Sequence, residues 1–525
     1  MLNFNNKKIM KKVFGILLVS MTLFISCSDD LLEPYTPGSL TEDVAIKKSG
    51  DLINLVNSSM NILTNRTEYV FSSIFTDEAA PGSQNGGQGI TEDYVFLMNV
   101  DNASAAAIWQ TQYFALARIN RVLTFADDVV AVSAADQQVI NRSKAEALVL
   151  RALAHLRIVS YFSPNPKDDT ALAGVLADKI ILTTEKPLRV TNGAFYTAIH
   201  ADLDAAIAIF NTNTAPAYAS AIRTYYPSRV LAQALKARAY ALKGDYPKAE
   251  TFANTVITTS GIVLANTQAQ YNAVFHTHNE PVNTEVIFRL RRTVQQNAQG
   301  SNLNNGWVSV ANRVNGSPFY EVGRSLYNAL AAVPGDFRLS TTVHLTGTSP
   351  SIINPNYATA TDVRNTDIIV LQKHGGQGAA TATNGFTPDF MVSRLSEMYF
   401  IRAEARVAAA DLPGAGLALK AILDARFPTA QAAPVFSSAQ AAWKGILDER
   451  RKELSFEGFR FIDLKRIGTL AGATLNRDAS EYASSSWSFP AANPTNLPLS
   501  SFKFALPIPQ VEVNGNAAIQ QNTGY

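Results

Sequence analysis

Three stretches of this sequence carry side chains whose types and spacing could do chemistry. His276 and His278 are separated by one residue, so on a strand both rings would face one side with Glu280 next in line, an arrangement open to a metal ion. No third ligand follows at a recognisable spacing, so a surface loop is the expected reading and no metal is assigned. The densest charge run is Asp448 to Glu453 (DERRKE), and its simplest reading is i,i+4 pairing on a solvated helix face. The run continues into a segment where Phe456, Phe459, Phe461 and Leu464 alternate with Glu457, Arg460, Asp463 and Arg466. Charges mixed that closely with aromatic rings lose their water and are tolerable only when paired, which points to a structural knot rather than an active site. The third feature is Cys27, the single cysteine of the chain. No Walker A loop, G-x-G-x-x-G, G-x-S-x-G or H-E-x-x-H motif occurs, so neither a catalytic residue nor a cofactor is assigned.

The surroundings of Cys27 explain it. Lys7, Lys8, Lys11 and Lys12 precede an apolar run from Val13 to Ile25, which ends on Ser26 and then Cys27. This is the pattern of a signal peptide over residues 1–26. A helix over the apolar run rises only about 20 Å, short of the roughly 30 Å hydrocarbon core, so a permanent span is not expected. A small residue directly before the sole cysteine resembles a bacterial lipobox, which implies diacylglycerol on the Cys27 sulfur and a new, acylated amino terminus. Several acyl chains, each contributing about 0.8 kcal/mol per buried CH₂, hold a globular domain on a bilayer. Ser28, Asp29 and Asp30 resemble the acidic surface-export signal of some Gram-negative lipoproteins. Residues 27–40, with two prolines and a glycine in LLEPYTPGSL, read as a lipidated tether.

The elements that must position any site come next. The chain has 525 residues, 45 basic against 43 acidic side chains and 47% hydrophobic residues, enough for a large buried core and inconsistent with general disorder. A formal charge of +2 leaves no basic footprint for nucleic acid. From about Thr41 the periodicity is helical: Leu52, Leu55, Val56 and Ser59 share a face, as do Trp109, Tyr113 and Leu116, and Leu148, Ala152, His155 and Val159. Strand-like alternation is confined to short pieces such as Glu285 to Leu290 and Asp367 to Leu371. ARAYALKGDYPKA at Ala237–Ala249 aligns without gaps to AEARVAAADLPGA at Ala403–Ala415, sharing Asp245/Asp411, Pro247/Pro413 and three alanines. This is the turn of a helical hairpin, twice, with tetratricopeptide-like features. Between the copies, residues 261–390 turn to Asn, Thr, Gly and Ser with scattered aromatics, and read as mobile binding loops laid over a rigid scaffold.

Several segments resemble, in order, those of the SusD/RagB family of outer-membrane nutrient-binding lipoproteins. ILDERRKELSFEGFRFIDLKRIG at Ile446–Gly468 is similar to its hallmark segment. IWQTQYFALARINRVL (Ile108–Leu123), AEALVLRALAHLRIVSYF (Ala145–Phe162), RLSEMYFIRAEA (Arg394–Ala405) and LPIPQVEVNGNAAIQQNTGY (Leu506–Tyr525) are similar to four others. Phe461 stands where the family often has Trp, and Ser163 where Gly is common. The resemblance implies one mainly α domain over residues 41–525, built on about four tetratricopeptide-like helical pairs. It implies a non-enzymatic protein facing the cell exterior on the outer membrane, capping a SusC-type TonB-dependent transporter and presenting it with oligosaccharides or other nutrients such as peptides.

Sugar recognition requires flat aromatic faces against pyranose C–H faces, with amides, carboxylates or guanidinium groups on the hydroxyls. Trp109 and Trp443 have core spacing, whereas Trp307 and Trp487 lie in polar runs. Trp307, Tyr320 and Tyr94 are therefore assigned as stacking groups, with Asp77 and Asn99 as hydrogen-bonding groups near the loop where the family often places ligand contacts. Two alternatives stand beside this reading: a helical-repeat protein-protein scaffold without a small ligand, and a lipoprotein glycoside hydrolase, which would need two carboxylates about 5 to 9.5 Å apart across a cleft.

Overall fold

The computed structural model describes residues 45–83, 85, 92–219, 222–276, 285–292, 318–347, 350–374, 388–482 and 494–525. Residues Lys48–Tyr525 form one unit; of the separate unit Met1–Lys47 only residues 45–47 are described, so Cys27 lies outside the described residues. The chain is mainly helical, as its periodicity requires. It begins with α1 (Ser49–Ile62), α2 (Thr67–Phe75), a short strand β1 (Ala79–Pro81), α3 (Ala103–Phe125) and α4 (Ala134–Phe162). Ser133 starts α4 by accepting a hydrogen bond from the Asp136 backbone N–H at 3.1 Å. Between Ala145 and Phe162 only Arg151 and Arg157 escape burial, so this half of α4 is enclosed on nearly every face by the rest of the scaffold. Its alanines let α3 on one side and α5 (Asn192–Thr212) on the other approach closely, after a small antiparallel pair β2 (Leu172–Val175) and β3 (Arg189–Thr191). Trp109, 2% exposed, and His155, fully buried, sit in this core.

The repeat found in the sequence is two helical hairpins with the same capping chemistry. In the first, α6 (Arg229–Lys243) stops at Gly244, whose φ of 87° is left-handed, and Asp245 caps α7 (Tyr246–Thr259). In the second, α11 (Leu395–Ala408) leads through Ala410, at φ 60°, to Asp411, which caps α12 (Leu412–Arg426) with a 2.8 Å bond from the Gly414 N–H. Pro247 and Pro413 stand in the first helical turn, where no intrahelical N–H is required. Ala249 and Ala415 are fully buried, and α7 packs against α11, so the two hairpins adjoin.

The stretch 261–390, expected as loops, is more ordered than its composition suggested. Its described residues include α8 (Gln268–His276), β4 (Val286–Leu290), β5 (Tyr320–Val322), α9 (Arg324–Ala331) and α10 (Phe337–Thr342). β4 pairs antiparallel with β6 (Phe390–Arg394), and β5 pairs antiparallel with β1. Polar composition concealed these elements because their buried faces are completed by distant segments: Tyr271, Phe275 and Val286 share a cluster with Met391. His276 hydrogen-bonds the Gln372 carbonyl at 3.2 Å, while His278 and Glu280 lie outside the described residues.

The charge-rich segment is the structural knot its composition required. It begins in α13 (Ala439–Glu453), turns through Phe456 and Gly458, both at positive φ, and ends in a short helical stretch, Arg460–Gly468. Arg426 donates to Glu285 and Glu453 at 2.8 to 2.9 Å, Arg394 to Glu453 and Glu457 at 2.8 to 2.9 Å and also to Glu285, and Lys373 reaches Glu457 at 2.8 Å. Arg338 joins Asp336, Glu449 and Glu453, and Lys452 completes Glu449. One cation thus answers each carboxylate, in a region where Arg338 and Arg426 are fully buried. A C-terminal helix, α14 (Gln510–Gly515), follows; among the described residues no helix is long and apolar enough to cross a membrane.

Candidate functional site

Of the residues singled out from the sequence, Tyr320 stands on the β1–β5 strand pair and Asp77 just precedes β1. β1 follows α2 directly and sets Pro81 opposite Tyr320, Ala80 opposite Glu321 and Ala79 opposite Val322. Gly82 extends the pairing by donating to the Phe319 carbonyl at 2.8 Å; a Cβ at Gly82 would meet the Pro318 carbonyl oxygen at 2.2 Å, so the close approach requires glycine. Arg477 fastens the other side. Its guanidinium donates to the carbonyls of Ile74, Phe75 and Thr76 at the end of α2 and to that of Tyr94, at 2.6 to 3.0 Å, and lies 4.0 Å over the Tyr94 ring.

A cavity of about 30 Å³ opens beside the strands, with Glu321, Arg324, Arg364, Asp367 and Glu481 on its walls. This volume is enough for about two waters. Arg324 donates to both oxygens of Asp367 at 2.7 and 3.0 Å, and its guanidinium stacks 3.7 Å from the Tyr357 ring. Glu481 accepts from the Arg324 backbone N–H at 3.0 Å and from the Tyr94 hydroxyl at 3.2 Å. Glu321 accepts from the Ile369 N–H at 3.2 Å. Burial pushes Glu481 up to about 7, and raises Glu321 and Asp367 above the ordinary carboxylate range. Near neutral pH Glu481 is therefore partly protonated and can donate as well as accept, which suits hydroxyl-bearing ligands.

Two of the assigned contacts are interior groups. Asp77 is 1% exposed; Arg460 grips both its oxygens at 2.7 and 2.8 Å, the Asn476 N–H adds a bond at 3.0 Å, and Arg451 donates to its carbonyl. Burial opposes its charge, but Arg451 and Arg460 outweigh it and hold the carboxyl well below the usual range. Tyr94 is fully buried beneath Arg477. Their assignment as ligand contacts is corrected accordingly: both anchor the framework, Asp77 because the α2–β1 junction turns it toward Arg451 and Arg460, and Tyr94 because Arg477 covers its ring and Glu481 accepts from its hydroxyl. Asn99 is exposed, and its side-chain oxygen accepts from the Asp101 N–H at 3.0 Å in a turn ahead of α3. Tyr320, 9% exposed, faces Pro81 with its ring 5.1 Å from Phe319. Trp307 and Trp487 lie outside the described residues. Arg324, Arg364, Arg477 and Glu481 were missed. The alternation Tyr320-Glu321-Val322 beside an assigned tyrosine is the signal that could have found Glu321.

Comparison with known proteins fits this framework. A family model described as "SusD family" matches residues 284–525, and one described as "Starch-binding associating with outer membrane" matches residues 42–241. A "SusD-like protein P2" of Formosa agariphila is 23% identical over 487 residues, covering 87% of this chain and 91% of that protein. A SusD superfamily protein of Bacteroides thetaiotaomicron superposes with a TM-score of 0.71 at 22% identity, covering 90% of this chain and 99% of its own. A putative sugar binding protein of Bacteroides vulgatus gives a TM-score of 0.71 at 22% identity over 92% and 99%. A laminarin-binding SusD-like protein gives 0.66 at 22% identity over 91% and 100%. With family models matching both halves and the same fold throughout, this chain belongs to the SusD/RagB family.

Proposed function

We propose that the protein is a non-catalytic cell-surface lipoprotein, anchored through Cys27 on the outer membrane, that binds oligosaccharides and delivers them as a lid to a SusC-type TonB-dependent transporter. The observation that carries the binding half is the end of the β1–β5 pair. There, protonatable carboxyls and arginines line a cavity, and two of those wall residues, Glu321 and Glu481, are joined within a few positions of sequence to the ends of the two tryptophan-bearing segments. Pro318 and Phe319, which follow the segment holding Trp307, lie against Gly82, and Tyr482, which precedes the segment holding Trp487, lies 6.3 Å from Tyr94 between ring centroids. Aromatic faces beside hydroxyl-bonding carboxyls are what a sugar requires. The starch-binding description of one family model and the laminarin-binding neighbour support a glycan as ligand.

Trp307 and Tyr320, the latter on β5, are the proposed stacking groups, and Asn99 is an exposed hydrogen-bonding group. The signal pattern and lipobox of the leader support the anchor, and an anchored lid beside a barrel supports the transporter as partner. Retention of the chain lacking residues 1–27 on immobilised laminarin and starch tests the reading. Alanine at Trp307 should reduce retention at least tenfold without lowering the melting temperature, and undiminished retention on a glycan that binds the parent would reject that assignment.

A further inference from the structure

Positive charge gathers at the end of the β4–β6 pair, where Leu290 stands opposite Phe390. Four guanidinium groups meet there. Arg289 and Arg291, two positions apart at and just beyond the end of β4, share one face, with their guanidinium carbons 4.9 and 5.6 Å from the centre of the Tyr225 ring. Arg292 lies 5.4 Å over the Phe390 ring and donates to the Thr64 carbonyl at 2.9 Å. Arg66, in the turn between α1 and α2, completes the group. Burial and the neighbouring Arg66 charge push Arg292 down to about 10, so it stays charged at neutral pH. Among the described residues Asp389 is the one carboxylate within ion-pair distance of the cluster. It accepts from the Arg292 backbone N–H at 3.1 Å and from the Tyr225 hydroxyl at 2.9 Å, and lies 3.5 Å from the Arg289 Nε. The adjoining sequence does not redress the balance: residues 277–284 add Glu280 and His278, residues 293–317 add Arg313, and residues 375–387 are uncharged.

Arg291 is the member that faces water. It is exposed, its one charge contact among the described residues is the Tyr225 ring, and no carboxylate there pairs with it. Arg66 is half-buried, whereas Arg289 and Arg292 lie behind, where a low dielectric lengthens the reach of their charge. A planar guanidinium fork held over an aromatic ring matches the paired oxygens of a carboxylate or a sulfate. We infer that this cluster is an anion-binding subsite, with Arg291 as its contact residue, and that the glycan this protein takes is acidic, bearing carboxylate or sulfate half-ester groups. The inference rests on the glycan-binding reading above and names its substrate class. Arg292 directly precedes the segment that holds Trp307, so the subsite and the proposed stacking group belong to one stretch of chain.

Two matched pairs of probes, titrated calorimetrically into the chain lacking residues 1–27, test it: a galacturonate hexasaccharide beside its methyl ester, and a κ-carrageenan hexasaccharide beside its desulfated form. In at least one pair the acidic member should bind at least tenfold more tightly than its neutralised partner, and the pair that responds tells carboxylate from sulfate. That advantage should shrink as salt is raised from about 0.05 to about 0.5 M. Arg291→Gln, at an exposed position where folding is not at risk, should cut the advantage at least fivefold, whereas Lys444→Gln, an exposed charge on α13, should leave it intact. Equal affinity for acidic and neutralised forms in both pairs, or an advantage undiminished in Arg291→Gln, would overturn the inference. Retention on laminarin or starch together with equal affinity within both pairs would reject this inference and leave the glycan reading standing; absence of binding to every glycan would reject both.

Discussion

Two buried clusters of charge, both fed by the α13 segment, are solved in opposite ways. Around Glu453 every carboxylate has a guanidinium or ammonium beside it; burial opposes ionisation, but Arg426 and Arg394 outweigh it and hold Glu453 well below the usual range, with Glu457 lowered for the same reason by Arg394 and Lys373. Around the β1–β5 end the carboxyls outnumber the cations that reach them. Burial pushes Glu78 up to about 8 and Glu481 up to about 7, and Glu78 has one oxygen without a partner among the described residues. The first arrangement fixes one geometry. The second leaves proton-bearing groups at a cavity wall, and it is the second that adjoins the proposed ligand.

The largest effect should come from opening the saturated cluster. Arg426→Met strands Glu285 and Glu453 in the interior and should lower unfolding free energy by about 3 to 5 kcal/mol in guanidinium titrations. A loss below about 1 kcal/mol would mean that the cluster is not the knot described here. Next in size is a pH response that separates the two regions. Glu78 and Glu481 bind protons in the folded state that the unfolded chain releases, so their stabilisation is complete below the ordinary carboxylate range and is lost as pH rises through about 7 and 8. The melting temperature should therefore rise as pH falls from about 8.5 to about 6.5, and a Glu78→Gln, Glu481→Gln variant should lose part of that slope, the remainder belonging to Glu146, which burial pushes up to about 7, and to Glu321, raised by burial. Below about 6.5 the gain should flatten, because burial holds His155, His276 and His374 at about 3 to 4 and the unfolded chain then takes up their protons. The smallest effect belongs to the exposed end of the same charge run: Lys444 and Asp448 pair at 2.5 Å but are more than half exposed, so Lys444→Ala should cost no more than about 0.5 kcal/mol.

How far the sequence revealed this depended on whether a residue's partners were local. The hairpin turns at Asp245 and Asp411 were legible because a cap, a proline and an alanine lie within five residues of one another. The knot was legible as a knot because aromatic and charged residues alternate in one segment, although Arg338, Arg394 and Glu285 could not be foreseen as members. Asp77 and Tyr94 were read as loop contacts, and the structure buries both. Their inward orientation is set by Arg460, Arg451 and Arg477, which lie more than 370 positions away along the chain. The order within residues 261–390 was hidden for the same reason, since each short strand there is completed by a remote one.

Calorimetric titration of the chain lacking residues 1–27 with laminarin-derived and malto-oligosaccharides, followed by chromatography of the sugar, tests the central claim most directly. Saturable binding of at least one series, with the oligosaccharide recovered at its original length, is the predicted result. No binding of any glycan in a wider screen, or recovery of shortened sugar, would contradict it.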